Sequence, residues 1–241
     1  MPTPTPIQST PAGVAYSYAF IAIKRPRGER YMTEQSAKNQ EGTEAGYGTV
    51  KYSLGCNNSK RSMKFNLEEA IALLARFPAA LDALLRGLPE AWISPNEGEN
   101  TMSVFEVVGH LIHLERTDWL PRANVILQFG EKQPFEPVDG WAHLKESQGK
   151  SMDDLLDEFA GLRAASIRQL RALDLRQDDF EQRGQHPALG TVTLAELLAT
   201  WAAHDMTHLH QISRVMAHQY REAVGPWSAY LGVLQCRKSS A

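Results

Sequence analysis

Residues 201–220 read WAAHDMTHLHQISRVMAHQY, a stretch without glycine or proline that holds four of the chain's eight histidines. At 100° per residue, Leu194, Leu198, Trp201, Leu209, Ile212, Val215 and Met216 share one arc of a helix. His208 lies inside that arc, His204 sits at its edge one turn back, and Gln211 falls just beyond it. His210 points to the opposite side, and His218 is off the arc near the end. Two imidazoles at i and i+4 have their Cβ atoms about 6 Å apart, so one nitrogen from each can reach a common ion. A lone pair of this kind is also a frequent accident of a histidine-rich helix. A third ligand from another helix separates the two cases.

The rest of the chain from residue 63 onward supplies the other helices. Asn66 followed by Glu69, Ser103 by Glu106, and Thr193 by Glu196 are capping-box patterns ahead of apolar runs. Ser151 opens a further helix. The first helix presents Leu67, Ile71, Leu74, Phe77, Leu81 and Leu84 at helical spacing, and Gly87 and Pro89 end it. The second presents Val104, Val107, Val108, Leu111 and Leu114 and runs to about Gly130, with a kink expected at Pro121. The third carries Leu155, Phe159, Leu162, Ile167, Leu170 and Leu173.

Two long connections separate these helices, EKQPFEPVDGWAHLKESQGK (131–150) and LRQDDFEQRGQHPALGTV (175–192). The first is too long for a tight turn and is expected to travel along the bundle. GPWSAYLGVLQ (225–235) adds a closing turn or short helix. Four amphipathic helices joined in this way predict an all-α fold, a four-helix bundle. No phosphate-binding loop, dinucleotide fingerprint or nucleophile elbow occurs.

Residues 1–62 differ from the remainder. They hold eight lysines and arginines against four glutamates, whereas the whole chain of 241 residues carries a net charge of -3. They show no helical period and are expected to be an irregular, disordered N-terminal extension, or the product of an upstream start codon with Met63 as the natural start. The bundle is then residues 63–235, followed by a tail at 236–241. The net charge gives no general attraction to nucleic acid. No apolar run reaches the roughly 18–20 residues needed to cross a bilayer, so no membrane association is expected. Cys56 and Cys236 form no paired motif, which fits a reducing, cytoplasmic setting.

In the second helix, GHLIHLE (109–115) offers a partner for the histidine pair. His110 borders the apolar arc, whereas His113 points away from it and is the lesser alternative as ligand. If the second and fourth helices are neighbours, three neutral imidazoles meet, with a position left open as in catalytic zinc sites. Each histidine could equally be satisfied by a core acceptor. Asp205 falls on the apolar arc and needs a partner, either a ligand imidazole or an arginine. Glu115 projects toward the core as a general base, a support for a ligand, or a salt-bridge partner on another helix. Trp119, Trp141 and Trp201 line a pocket mouth or simply pack.

GHLIHLERTDW and HDMTHLHQI, in this order, resemble the DinB/YfiT-like superfamily over residues 63–235. The resemblance implies a four-helix bundle of up-down-down-up topology. It implies a divalent metal, zinc or nickel, on His110, His204 and His208, with Gln211 at a further matching position. It also implies thiol transferase or thiol-dependent isomerase chemistry, found in the superfamily beside members of no assigned activity, and a homodimer. Such a metal activates a thiol or a water, with thiol transfer placed ahead of hydrolysis and a small molecule as substrate. Neither cysteine lies in a motif, so the thiol would be a low-molecular-weight cofactor. A non-catalytic metal- or ligand-binding stress protein, or a dimerisation scaffold, is the alternative.

Overall fold

The computed structural model describes residues 64–235. The extension at 1–62, both cysteines and the tail at 236–241 lie outside the described residues. Four long rods form the frame: α1 (Leu67–Leu85), α3 (Val104–Thr117) continued by α4 (Trp119–Phe129), α6 (Met152–Ala172) and α7 (Leu194–His218). Short helices α2 (Glu90–Ile93), α5 (His143–Glu146) and α8 (Gly232–Gln235) sit in the connections and at the end. No described helix is long and apolar enough to cross a membrane.

Every rod starts where the side chains dictate. Asn66, Ser103, Ser151 and Thr193 each accept a hydrogen bond from the backbone N–H three residues on. In the last three, the acidic side chain at that position returns a bond to the cap backbone. The second rod breaks at Asp118, whose φ of -109° departs from the helix. The cause is Pro121, which has no N–H to offer the Thr117 carbonyl one turn earlier.

The rods pack in a ring, α1 beside α6, α6 beside α3, α3–α4 beside α7, and α7 beside α1. Directions follow from the ends that meet. The Arg86 guanidinium at the end of α1 pairs with Asp157 near the start of α6 at 2.6 Å. At the other end Arg171 reaches Glu68 at 3.5 Å. These two rods are therefore antiparallel. One half of the core joins the start of α1, α4, the end of α6 and the start of α7, through Ile71, Leu120, Leu170 and Trp201. The other half joins the end of α1, α3, the start of α6 and the end of α7, through Leu81, Val108, Phe159 and Val215. The topology is up-down-down-up, as the sequence resemblance implies.

This topology makes α4 and α6 consecutive but parallel. The chain must climb back along a rod about 37 Å long, from the rise per residue over α3 and α4. Residues 130–151 make that climb and carry α5 against α3 on the way. Gly109 of α3 permits the close approach, since a Cβ there would meet the Ser147 hydroxyl oxygen at 2.4 Å.

Some details differ from the expectation. Leu85, fully buried, takes the inward place assigned to Leu84, which is exposed. On α6 the inward stripe is Leu155, Phe159, Arg163, Ser166 and Leu170, while Leu162, Ile167 and Leu173 flank it. The connection at 175–192 is not featureless. It contains an antiparallel hairpin, β1 (Arg183–His186) and β2 (Gly190–Thr193), pinned to the strap formed by residues 130–151 by the Phe135 N–H donating to the Gln185 carbonyl at 2.9 Å.

A polar layer lies where the two core halves meet. Arg163, 1% exposed, donates from Nε to Glu115 Oε1 and from Nη2 to Glu115 Oε2, both at 2.9 Å. It also donates from Nη1 and Nη2 to Asp205 at 2.5 and 3.0 Å, and from Nη1 to the Leu74 carbonyl at 3.1 Å. That carbonyl is free because Pro78, four residues on within α1, has no N–H to give it. One guanidinium thus ties α1, α3, α6 and α7 together.

Removing it leaves two buried carboxylates facing each other. Arg163→Met is expected to lower stability by about 3–5 kcal/mol in denaturant titration. Replacing all three members by apolar residues, as Glu115→Leu, Arg163→Met and Asp205→Leu, is expected to restore most of the loss.

Candidate metal centre

His204 and His208 lie one turn apart on α7, at the level where the two core halves meet. Their Nε2 atoms are 2.9 Å apart. The His110 ring, from α3, has its centre 5.0 Å from that of His208 and 5.9 Å from that of His204. One ligand atom from each of the three residues lies within 4.8 Å of the other two. The sequence-predicted trio is thus assembled from two antiparallel rods.

The hydrogen bonds define the proton positions. His208 Nδ1 lies 2.8 Å from Gln211 Oε1, an acceptor, so the ring donates from Nδ1. Its Nε2 is then the lone-pair nitrogen, and His204 donates to it from Nε2. His204 Nδ1 is buried without a partner, as is His110 Nδ1. Nitrogens bound to one tetrahedral zinc at 2.0–2.1 Å would stand about 3.3 Å apart. The 2.9 Å pair therefore needs only a small opening and a shift of the shared proton from His204 Nε2 to its Nδ1.

The rings are held neutral. Burial, then the charges of His208 and His143, lower His110 to about 3. Burial, then His208, His110 and Arg163, lower His204 to about 3. Burial also lowers His208, with the Gln211 bond pulling the other way. Neutral imidazole is the form that ligates a cation. Trp119 packs edge-on against His204 with ring centres 5.1 Å apart and stacks on Trp201 at 5.9 Å. Both indoles are buried, so they wall the site from one core half rather than forming its mouth.

The remaining candidates fall into place around this centre. Gln211 contacts a candidate ligand directly. Asp205 and Glu115 do not: both carboxylates face Arg163, and of the partners open to Asp205 it has the arginine. Burial pushes the Asp205 carboxyl up to about 6 against the pull of Arg163, with Glu115 adding to the rise. His113 is buried instead of pointing to solvent, and its Nδ1 lies 3.0 Å from Glu146 Oε1 of the strap.

His143 was not singled out by any pattern in the sequence. It is fully buried beneath Trp141, whose ring centre is 6.0 Å away, and its own ring centre lies 5.5 Å from that of His110. Burial lowers it, offset in part by the Gly140 backbone. A four-residue helix has no periodicity to reveal an inward face. Arg163 did leave a signal: a lone charge on the apolar side of α6, four residues after Phe159.

The chain matches the model of the DinB superfamily over residues 73–212 and belongs to that superfamily. Its structure is similar to that of YfiT from Bacillus subtilis, described as a probable metal-dependent hydrolase with an unusual four-helix bundle topology. The two share 22% sequence identity at a TM-score of 0.55, over 64% of this chain and 87% of that one. At this identity the likeness establishes the bundle fold. A comparison with the curated proteins gives no match.

The depressed histidines predict an acid limb of stability in chelator-treated protein. Unfolded histidine takes up protons below about 6.5, whereas folded His110 and His204 resist them down to about 3. Their contribution is fully present above about 6.5 and is lost as the pH falls toward 3. Asp205, raised when folded, acts in the opposite sense between its ordinary value and about 6. The denaturation midpoint of a His110→Gln, His204→Gln double variant is expected to fall less between pH 7 and pH 5 than that of the parent, in which Asp205 is the same.

Proposed function

We propose that the protein is a metal-dependent enzyme in which His110, His204 and His208 hold one divalent cation, zinc or nickel. The observation that carries this reading is the convergence of three neutral imidazoles within 4.8 Å, two of them with Nε2 atoms 2.9 Å apart. The donor set is all nitrogen, which suits these borderline ions better than calcium or magnesium. Membership of the DinB superfamily and the metal dependence ascribed to YfiT support it.

When bound, such an ion supplies the Lewis acidity that activates a thiol or a water as nucleophile near neutral pH. The protein's own groups prepare the position. Gln211 fixes the His208 tautomer so that Nε2 is free to ligate. His204 gives up its Nε2 proton and carries it at Nδ1. Trp119 closes one side against water, and the Arg163 cluster keeps α3 and α7 at matching height. Thiol transfer is placed ahead of hydrolysis, with a small-molecule electrophile as substrate. Neither Cys56 nor Cys236 lies in a motif, which favours a low-molecular-weight thiol as the cofactor.

Elemental analysis of untagged protein is expected to give one zinc or nickel per chain, and His204→Ala or His208→Ala to lose it. Retention by the His110→Ala, His204→Ala, His208→Ala variant would overturn the site. With metal bound, a panel pairing thiols with electrophiles is expected to show turnover that the same variants abolish. Stoichiometric metal with no turnover of thiols, electrophiles or esters would leave a binding protein instead of an enzyme. In light scattering at micromolar concentration the protein is expected at twice the chain mass, as a homodimer.

A further inference from the structure

His143 stands apart from every other buried polar group near the centre. It is fully buried, and neither of its ring nitrogens makes a well-formed hydrogen bond, the Gly140 backbone being the polar group that lies beside it. A neutral imidazole has one donor and one acceptor nitrogen, and burying either unpaired costs about 1–3 kcal/mol. The fold nevertheless goes to some length to seat it. Residues 139–148 pack against α3 across Gly109, and His113 and Arg116 of α3 both hold Glu146, at 3.0 and 3.4 Å. Trp141 covers the ring from outside.

The nearest group with a matching deficit is His110, whose Nδ1 is sealed from solvent and also unpartnered. The two ring centres are 5.5 Å apart and the rings are nearly perpendicular, at 79°. At that separation, facing nitrogens come to about 3.2 Å once each ring turns toward the other, within reach of a hydrogen bond. Metal-ligating histidines almost always donate their second N–H to an acceptor. His208 has Gln211 for this, on its own helix. His110 has no such side chain on α3; from the segment 130–151 the Gly140 backbone and the His143 ring both approach it, and of the two only His143 is itself in deficit at a ring nitrogen.

We propose that His143 is a positioning residue that accepts the Nδ1–H of His110, fixing the tautomer and ring angle that leave His110 Nε2 free for the centre. The inference rests on the metal reading above for its purpose, and on the two unpartnered rings for its geometry. It makes the strap between α4 and α6 part of the centre, since neither rod of the histidine trio supplies the acceptor.

The test uses the full chain and two readouts. The first needs no metal: long-range 1H–15N correlation of the histidine rings in chelator-treated protein. His110 is expected to show a protonated, hydrogen-bonded Nδ1 that shifts in His143→Leu and recovers in His143→Gln, whose side-chain oxygen can accept. The second is zinc affinity by competition with a chromogenic chelator. His143→Leu is expected to bind zinc about 10- to 100-fold more weakly than the parent, and His143→Gln to regain most of the difference. Circular dichroism checks that both variants keep the fold, and the correlation spectrum of the parent stands if they do not. His110 resonances unchanged in a folded His143→Leu variant, with parental zinc affinity, would overturn the inference. If the parent itself binds neither zinc nor nickel, the metal reading fails, and the correlation spectra alone decide whether His143 accepts from His110.

Discussion

A single guanidinium sets the relative height of the three candidate ligand imidazoles. Arg163 can satisfy Glu115 and Asp205 together only when α3, α6 and α7 stand at one relative level. Asp205 sits between His204 and His208 on α7, and Glu115 follows His110 by five residues on α3. Fixing the two carboxylates therefore fixes the three imidazoles. A buried ion cluster is a poor source of net stability, because desolvation consumes most of the attraction. Its value lies in geometry: a slip of one rod by a single turn would strand charge in the core, whereas apolar contacts would tolerate the slip far better. The fifth acceptor, the Leu74 carbonyl freed by Pro78, brings α1 under the same constraint.

The environment of the centre keeps charge off its three rings. All three imidazoles are depressed, chiefly by burial. The two large indoles behind His204 are stacked nearly flat, at 9°, and the inner one lies under the Arg163 guanidinium at 5.3 Å. A continuous path of packed rings thus runs from the candidate ligand to the cluster that holds the rods in register. Side chains so tightly packed hold a candidate ligand ring in one rotamer, which is what a three-point site requires.

Much of this was legible in the sequence, because it depends on local rules. Capping side chains announce the four rods, and the projection of residues 194–218 separates His204 and His208 from the outward His210. His110 follows from the same projection on α3. What escaped depends on tertiary context. The choice between a ligand ring and an arginine for Asp205 turned on a residue 42 positions away. Leu85 in place of Leu84 and Arg163 in place of Leu162 are shifts of one residue in a stripe whose centre only the packing defines. His113 looked outward because a rod projection knows nothing of a strap laid over that face. His143 and the hairpin sit in connections where no period exists to be found.

That two neighbouring rods run in the same direction has a consequence for how such a protein could diversify. A simple up-and-down bundle closes its loops at the ends, far from a centre at mid-height. Here the return path from α4 to α6 has to pass the middle of the molecule, and it does so on the α3 side, with Trp141 46% exposed at its outer surface. Changes in the length or side chains of that path alter what lies beside the histidine centre without disturbing a single inward position of the rods. The architecture thereby separates the part that must be invariant to assemble the imidazoles from the part free to choose what they meet.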